Sequence, residues 1–89
     1  MNNYLIVLNL FFADNSYTAL DVFLKTSSRW ARISKNVWMI STYRSAAEVR
    51  NGIKERVQSL DNILVIRANE KNWASYNLPK EIVDWLKAS

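Results

Sequence analysis

Cysteine and histidine are absent from this chain of 89 residues, and it holds one glycine, Gly52, and one proline, Pro79. Without thiols or imidazoles there can be no disulfide, thiol nucleophile, Ser-His triad or thiolate and imidazole zinc site. A single glycine rules out the glycine-rich loops that let a backbone approach a dinucleotide or a nucleotide phosphate. No metal site and no cofactor are therefore expected. Linkers, low-complexity segments and internal repeats are missing as well. Acidic residues are missing from Val22 to Ala47, a span with five basic ones: Lys25, Arg29, Arg32, Lys35 and Arg44. No apolar run is long enough to cross a bilayer. The longest, near the N-terminus, is about half the required length. That run has no Lys or Arg before it and no small-x-small pattern after it, so it does not read as a secretion signal. The lack of cysteine suits a cytoplasmic setting.

Apolar side chains are plentiful, at 49% of the residues, with four Trp, four Tyr and three Phe. A single domain of this size (residues 1–89) hides only about two thirds of the surface its unfolded chain exposes. Part of the apolar surplus is then expected at an interface. The segment Tyr4-Leu-Ile-Val-Leu-Asn-Leu-Phe-Phe12 interrupts its apolar run only at Asn9. It predicts a strand over Tyr4–Phe11 that is covered on both faces.

Asp14-Asn15-Ser16 offers a turn and N-cap for a helix reaching Thr26, with Tyr17, Leu20, Phe23 and Leu24 as its apolar stripe. Arg29–Ser34 and Val37–Thr42 form a hairpin about the Ser34-Lys35-Asn36 turn. In its first strand Trp30 and Arg32 share one face, while Ala31 and Ile33 share the other. Ser45 and Glu48 have capping-box spacing and open a second helix. Its stripe runs Ala46, Val49, Ile53, Val57, Leu60. Ile63–Ile66 is a fourth strand, apolar on both faces. After a polar stretch with Trp73 and Tyr76, a helix is expected over Leu78–Lys87, Pro79 lying in its first turn where a missing N–H costs nothing. Leu78, Ile82, Trp85 and Leu86 should face inward, and Trp73 should pack over a sheet edge.

The order β-α-β-β-α-β plus a C-terminal helix is the ferredoxin-like split β-α-β pattern, an α+β fold with an antiparallel sheet. It places the first two helices on one sheet face and leaves the other bare. A second copy of the chain in a two-fold dimer is the expected cover, with Leu5, Val7 and Asn9 in the interface. The net charge is +4, and all of that excess lies in the middle third. Lys25, Arg29, Arg32, Lys35 and Arg44, interleaved with Trp30, Trp38 and Tyr43, suit single-stranded nucleic acid, because rings stack on bases and cations neutralise phosphates. The plainer account is a set of core or interface rings with a solvated basic rim. Arg50 and Lys54 could extend a phosphate track or pair with Glu48 and Glu55, the latter being favoured.

The element order, the first strand Tyr4-Leu-Ile-Val-Leu-Asn-Leu10, the Arg29-Trp30…Val37-Trp38 hairpin and the Ser45-x-x-Glu48 helix together resemble the small Cas-two-like proteins. That group includes the dimeric subunit of CRISPR adaptation complexes, VapD-type ribonuclease toxins and a branch labelled "SinR family". The tail Trp73-Ala-Ser-Tyr-Asn-Leu-Pro79…Asp84-Trp85-Leu86-Lys87 is similar to the last of these. In Cas-two relatives the first strand commonly ends in Tyr-Asp-Ile or Tyr-Asp-Leu, and that Asp is implicated in holding a divalent metal. Here the triplet is Leu8-Asn9-Leu10, and a neutral amide is a poor anchor for a hard cation. Asp14 is the remaining catalytic candidate, with a plainer reading as a turn residue. The resemblance thus implies a homodimer associated with DNA or RNA and carrying no catalytic carboxylate at Asn9. A protein–protein module, for instance a regulator or inhibitor encoded by a mobile element, is the alternative, followed by a metal-dependent endoribonuclease with an atypical site.

Overall fold

The computed structural model describes residues 1–88, with Asp14 described through its backbone only. Four strands, β1 (Asn2–Asn9), β2 (Arg29–Ser34), β3 (Val37–Thr42) and β4 (Asn62–Arg67), form one antiparallel sheet in the order β2-β3-β1-β4. Three α-helices complete the fold: α1 (Thr18–Lys25), α2 (Ala46–Lys54) and α3 (Lys80–Ala88). A small α+β domain of this order is compatible with a ferredoxin-like arrangement. Among the described residues, no helix is long and apolar enough to cross a membrane.

Alternation along β1 divides the chain's apolar residues between two faces. Tyr4, Ile6 and Leu8 face α1 and α2, where they join Trp38 and Ile40 of β3. Leu20 and Leu24 of α1 and Val49 and Ile53 of α2 close this core. Each fully buried aliphatic side chain contributes about 1.5–3 kcal/mol relative to exposure. Trp38 is the largest wholly buried residue.

The second sheet face is half covered, not bare as the pattern predicts. α3 packs against β2 on the face where Ala31 and Met39 are buried, with its own Ile82 turned inward. Arg29 ties the two together, its guanidinium 4.6 Å from the Trp85 ring and its Nη2 donating to the Trp85 carbonyl at 3.3 Å. Trp73 borders a cavity on this same face with Leu5, Ile33, Met39 and Leu86, so it covers the sheet's face and not its edge. The β1 and β4 half stays open, with Val7 38%, Leu64 52% and Ile66 46% exposed. Strands β1 and β4 are therefore apolar on both faces but buried on one.

Several boundaries differ from expectation, each for a local reason. β1 starts two residues early because Asn2 and Asn3 pair with Thr42 and Ser41. It stops at Asn9, and Phe11 and Phe12 leave the sheet exposed. Asp14–Tyr17 is a 3-10 turn and no side chain caps α1, so the polar triplet starts a tighter helix than predicted. α2 ends at Lys54, and Leu60, read as the last residue of its stripe, is 68% exposed. α3 begins two residues later than predicted, just past Pro79, which cannot donate to the helix. The capping box is present as read: Glu48 N–H donates to Ser45 Oγ at 3.2 Å and Ser45 N–H to Glu48 Oε1 at 2.9 Å.

Candidate nucleic-acid interface

The five basic residues nominated by composition do not form one track. Lys35 lies in the β2–β3 turn and Arg44 just past the far end of β3, a strand of six residues, so they are separated by about 17 Å or more. Arg29 faces α3 on the second sheet face, whereas Trp30 and Arg32 face the helices. Lys25, at the end of α1, reaches the helix-side surface of β2.

Two of the five, Lys25 and Arg32, come together with rings at the β2 edge, beside the Lys35 turn. Lys25 Nζ lies 5.2 Å from the Trp30 ring, Trp30 sits 5.7 Å from Trp38 at a 47° tilt, and the Arg32 guanidinium is 5.0 Å from the Trp38 ring. All are cation–π or aromatic distances. Arg32 Nη2 donates to the Lys35 carbonyl at 2.9 Å, which binds the turn to this array. Its Nη1 lies 3.5 Å from Asp21 Oδ2, an ion pair about one-third exposed and worth about 0–1 kcal/mol. Trp38 is fully buried, while Trp30 keeps 41% of its surface exposed as a platform. The core account therefore holds for Trp38, and Trp30 is the ring of the two that solvent reaches.

Arg44 belongs to a second assembly. Its guanidinium lies 5.3 Å from the Phe23 ring, and Arg56 approaches the same ring at 4.4 Å. Arg56 was not singled out by the sequence, because its relation to Phe23 crosses from the residues just past α2 to α1. Nearby Tyr43 is 82% exposed and adds an unpacked ring at this end.

Arg50 and Lys54 do not pair with Glu48 and Glu55 as expected. Glu48 is committed to the Ser45 cap, where desolvation opposes but the backbone and side-chain hydrogen bonds of Ser45 prevail, holding its pKa below the usual value. Glu55 lies 3.6 Å from Arg56, and Arg50 bonds the Asn51 side chain. Arg50 and Lys54 instead line a shallow groove with Gln58, Ser59 and Asn62.

A third site was missed because its members look ordinary in sequence. Asp61, read as a turn residue, accepts hydrogen bonds from Gln58 N–H at 2.7 Å, Phe11 N–H at 3.0 Å and the Tyr17 hydroxyl at 2.9 Å. Burial alone would raise its pKa, but these donors outweigh it and hold it below the ordinary carboxylate range. Burial and the Asp61 carboxylate push Tyr17 up. Two of the three partners lie 44 and 50 residues away in the chain, which left no sequence signal to find.

A small cavity of about 70 Å³ lies under the β2–β3 turn, bordered by Asp21, Arg32, Lys35, Asn36 and Trp38. Two of its lining residues carry buried polar atoms without a hydrogen-bond partner, Asn36 Oδ1 and Trp38 Nε1.

Asn9 is exposed and faces Asn62 across β1 and β4. Its Nδ2 donates to Asn62 Oδ1 at 3.4 Å. Two neutral amides do not fit a divalent cation that requires carboxylates. Among the described residues, no three His, Cys, Asp or Glu side chains are placed to hold a metal ion. The Asp14 side chain, the other catalytic candidate, lies outside the described residues. Comparison with protein-family models, curated proteins and solved structures finds no match to this chain.

Proposed function

We propose that this chain is a non-catalytic, nucleic-acid-associated protein of Cas-two-like type with a ferredoxin-like fold, acting as a homodimer in the cytoplasm. The observation that carries the reading is the Lys25–Trp30–Trp38–Arg32 array beside the Lys35 turn. It sets cations around a half-exposed indole, the combination single strands require. The phosphate contacts are assigned to Lys25, Arg32 and Lys35. Arg29 supports α3, and Arg44 with Arg56 frames Phe23, so neither belongs to the same contact surface.

The test is the salt dependence of binding to a single-stranded oligonucleotide, followed by fluorescence anisotropy. Affinity should fall steeply as salt rises, and the Lys25→Ala/Arg32→Ala double variant should reduce the log–log slope by about 1.4, roughly 0.7 per lost phosphate contact. Absence of binding at low salt rejects the reading.

A second reading, a protein–protein module, is favoured by the exposed Val7, Leu64 and Ile66 on the open half-sheet. It predicts a stable heterologous partner whose capture is lost when these side chains are made charged. The Asn9–Asn62 amide pair argues against the endoribonuclease alternative.

A further inference from the structure

The cavity under the β2–β3 turn holds a chemical demand that nothing else in the fold meets. Trp38 is wholly buried, yet its indole N–H finds no acceptor. Asn36 Oδ1, a buried acceptor, finds no donor, and both residues line the same cavity. Unpaired buried polar atoms are costly, and two of opposite kind in one cavity call for a group that both accepts and donates. Asp21 adds a further acceptor to the wall, while Arg32 of β2 and Lys35 of the turn border it.

The cavity's 70 Å³ leaves room for roughly five water-sized atoms. That is the edge of one ring, not a complete heterocycle. The Watson–Crick edge of every nucleobase sets an acceptor next to an N–H donor, and a nucleobase arrives attached to a phosphate. Arg32, near the end of β2, and Lys35, in the turn, border the cavity and supply positive charge beside it for that phosphate.

We infer that this cavity is a nucleobase-edge site: a base of a single strand accepts from Trp38 Nε1 and donates to Asn36 Oδ1, while its phosphate lies on Arg32 and Lys35. The inference rests on the nucleic-acid reading above and gives it a specific site. The two polar atoms are closed to solvent, so the inferred site requires the turn to open as a base enters. Because all bases share the donor–acceptor pairing, the site binds single strands without strong sequence preference.

Indole N–H resonances test this directly, since the chain has four Trp and hence four such signals. Trp30→Phe, Trp73→Phe and Trp85→Phe spectra assign Trp38 by elimination and leave it in place. A ¹⁵N-labelled chain is titrated with a short oligouridylate and with an abasic oligomer of the same length. The oligouridylate should shift the Trp38 indole signal and the Asn36 side-chain amide, and the abasic oligomer should shift neither. Asn36→Ala should weaken the oligouridylate three- to tenfold, about one hydrogen bond, and leave abasic binding unchanged. If both oligomers perturb Arg32 and Lys35 while Trp38 stays still, the pocket assignment is wrong and the phosphate reading stands. A water–indole cross-relaxation signal that persists in the oligouridylate complex also overturns it, since a fixed water then fills the cavity. If neither oligomer moves any resonance at low salt, the nucleic-acid reading falls with it.

Discussion

Asp61 shows how much one side chain can hold in a small fold. Its two oxygens gather the chain leaving β1 at Phe11, the 3-10 turn through Tyr17, and the approach to β4 through Gln58. Its pKa is lowered from 3.8 and that of Glu48 from 4.5. A carboxylate with a depressed folded pKa binds fewer protons folded than unfolded, so its contribution is complete above the unfolded pKa and is lost as pH falls through the folded one. Stability should hold down to about pH 5 and drop below pH 4. Tyr17 acts at the other extreme: its folded pKa is raised above 10.0, so its contribution is present below that pH and is lost as pH rises through the folded pKa. Asp61→Asn should cost about 1–3 kcal/mol near neutrality, because an amide presents an N–H to one of the three donors. It should also flatten the acid limb. Urea melts of both proteins at pH 7 and pH 3 measure both effects, and an unchanged acid limb would remove Asp61 from its cause. Nothing in the run Ser59-Leu60-Asp61-Asn62 separates this aspartate from any turn residue; only the arrival of Tyr17 and Phe11 does.

Helix α2 was legible at its start and opaque in its middle. The Ser45–Glu48 capping box is a short-range device, and the structure contains it. Gly52, in the interior of that helix, carries a conformational cost of about 1 kcal/mol relative to Ala. Its reason is tertiary: a Cβ there would fall 2.2 Å from Phe23 Cζ. Arg44 and Arg56 both approach that ring and limit its escape. Gly52→Ala should therefore be a net destabilisation of about 1 kcal/mol, the helix gain being outweighed by an overpacking cost of about 1–3 kcal/mol. Adding Phe23→Leu should recover more than the sum of the single changes, as contacting residues do in a thermodynamic cycle. A Gly52→Ala protein with a higher urea midpoint would show that the ring swings aside freely. Hairpin β2–β3 was legible in its alternation, with Trp30 and Arg32 on one face as expected, but its irregularity between Arg32 and Ser34 was not.

For the whole molecule, the decisive feature is the unequal cover of the second sheet face. α3 closes the β2–β3 half and leaves Val7, Leu64 and Ile66 exposed on β1 and β4. Contiguous apolar surface of this kind marks an interface, and the proposed homodimer uses it. Ile66→Glu should then weaken the dimer about tenfold or more, the effect of losing 1.4 kcal/mol or more of apolar contact. Because Ile66 is 46% exposed, the monomer's unfolding midpoint should barely move. Light scattering across a concentration series separates the two species; a wild-type chain that stays monomeric at high concentration would reject the dimer. The charge pattern reads differently at this scale. A continuous basic stretch of sequence was distributed by the sheet over two faces and two ends, and only Lys25, Arg32 and Lys35 remain candidates for one contact surface.

The order of elements, the alternation of β1, the α2 cap and the absence of thiol and imidazole chemistry were all determined by sequence alone. Each depends on composition or on residues within a few positions of one another. What the tertiary structure decided is which apolar face is covered, which cations share a surface, and which polar atoms are left without partners. Those properties depend on contacts between distant segments: α3 returning over β2, Tyr17 reaching Asp61, and the hairpin turn closing over Trp38. Local periodicity specifies a face but not what will lie against it.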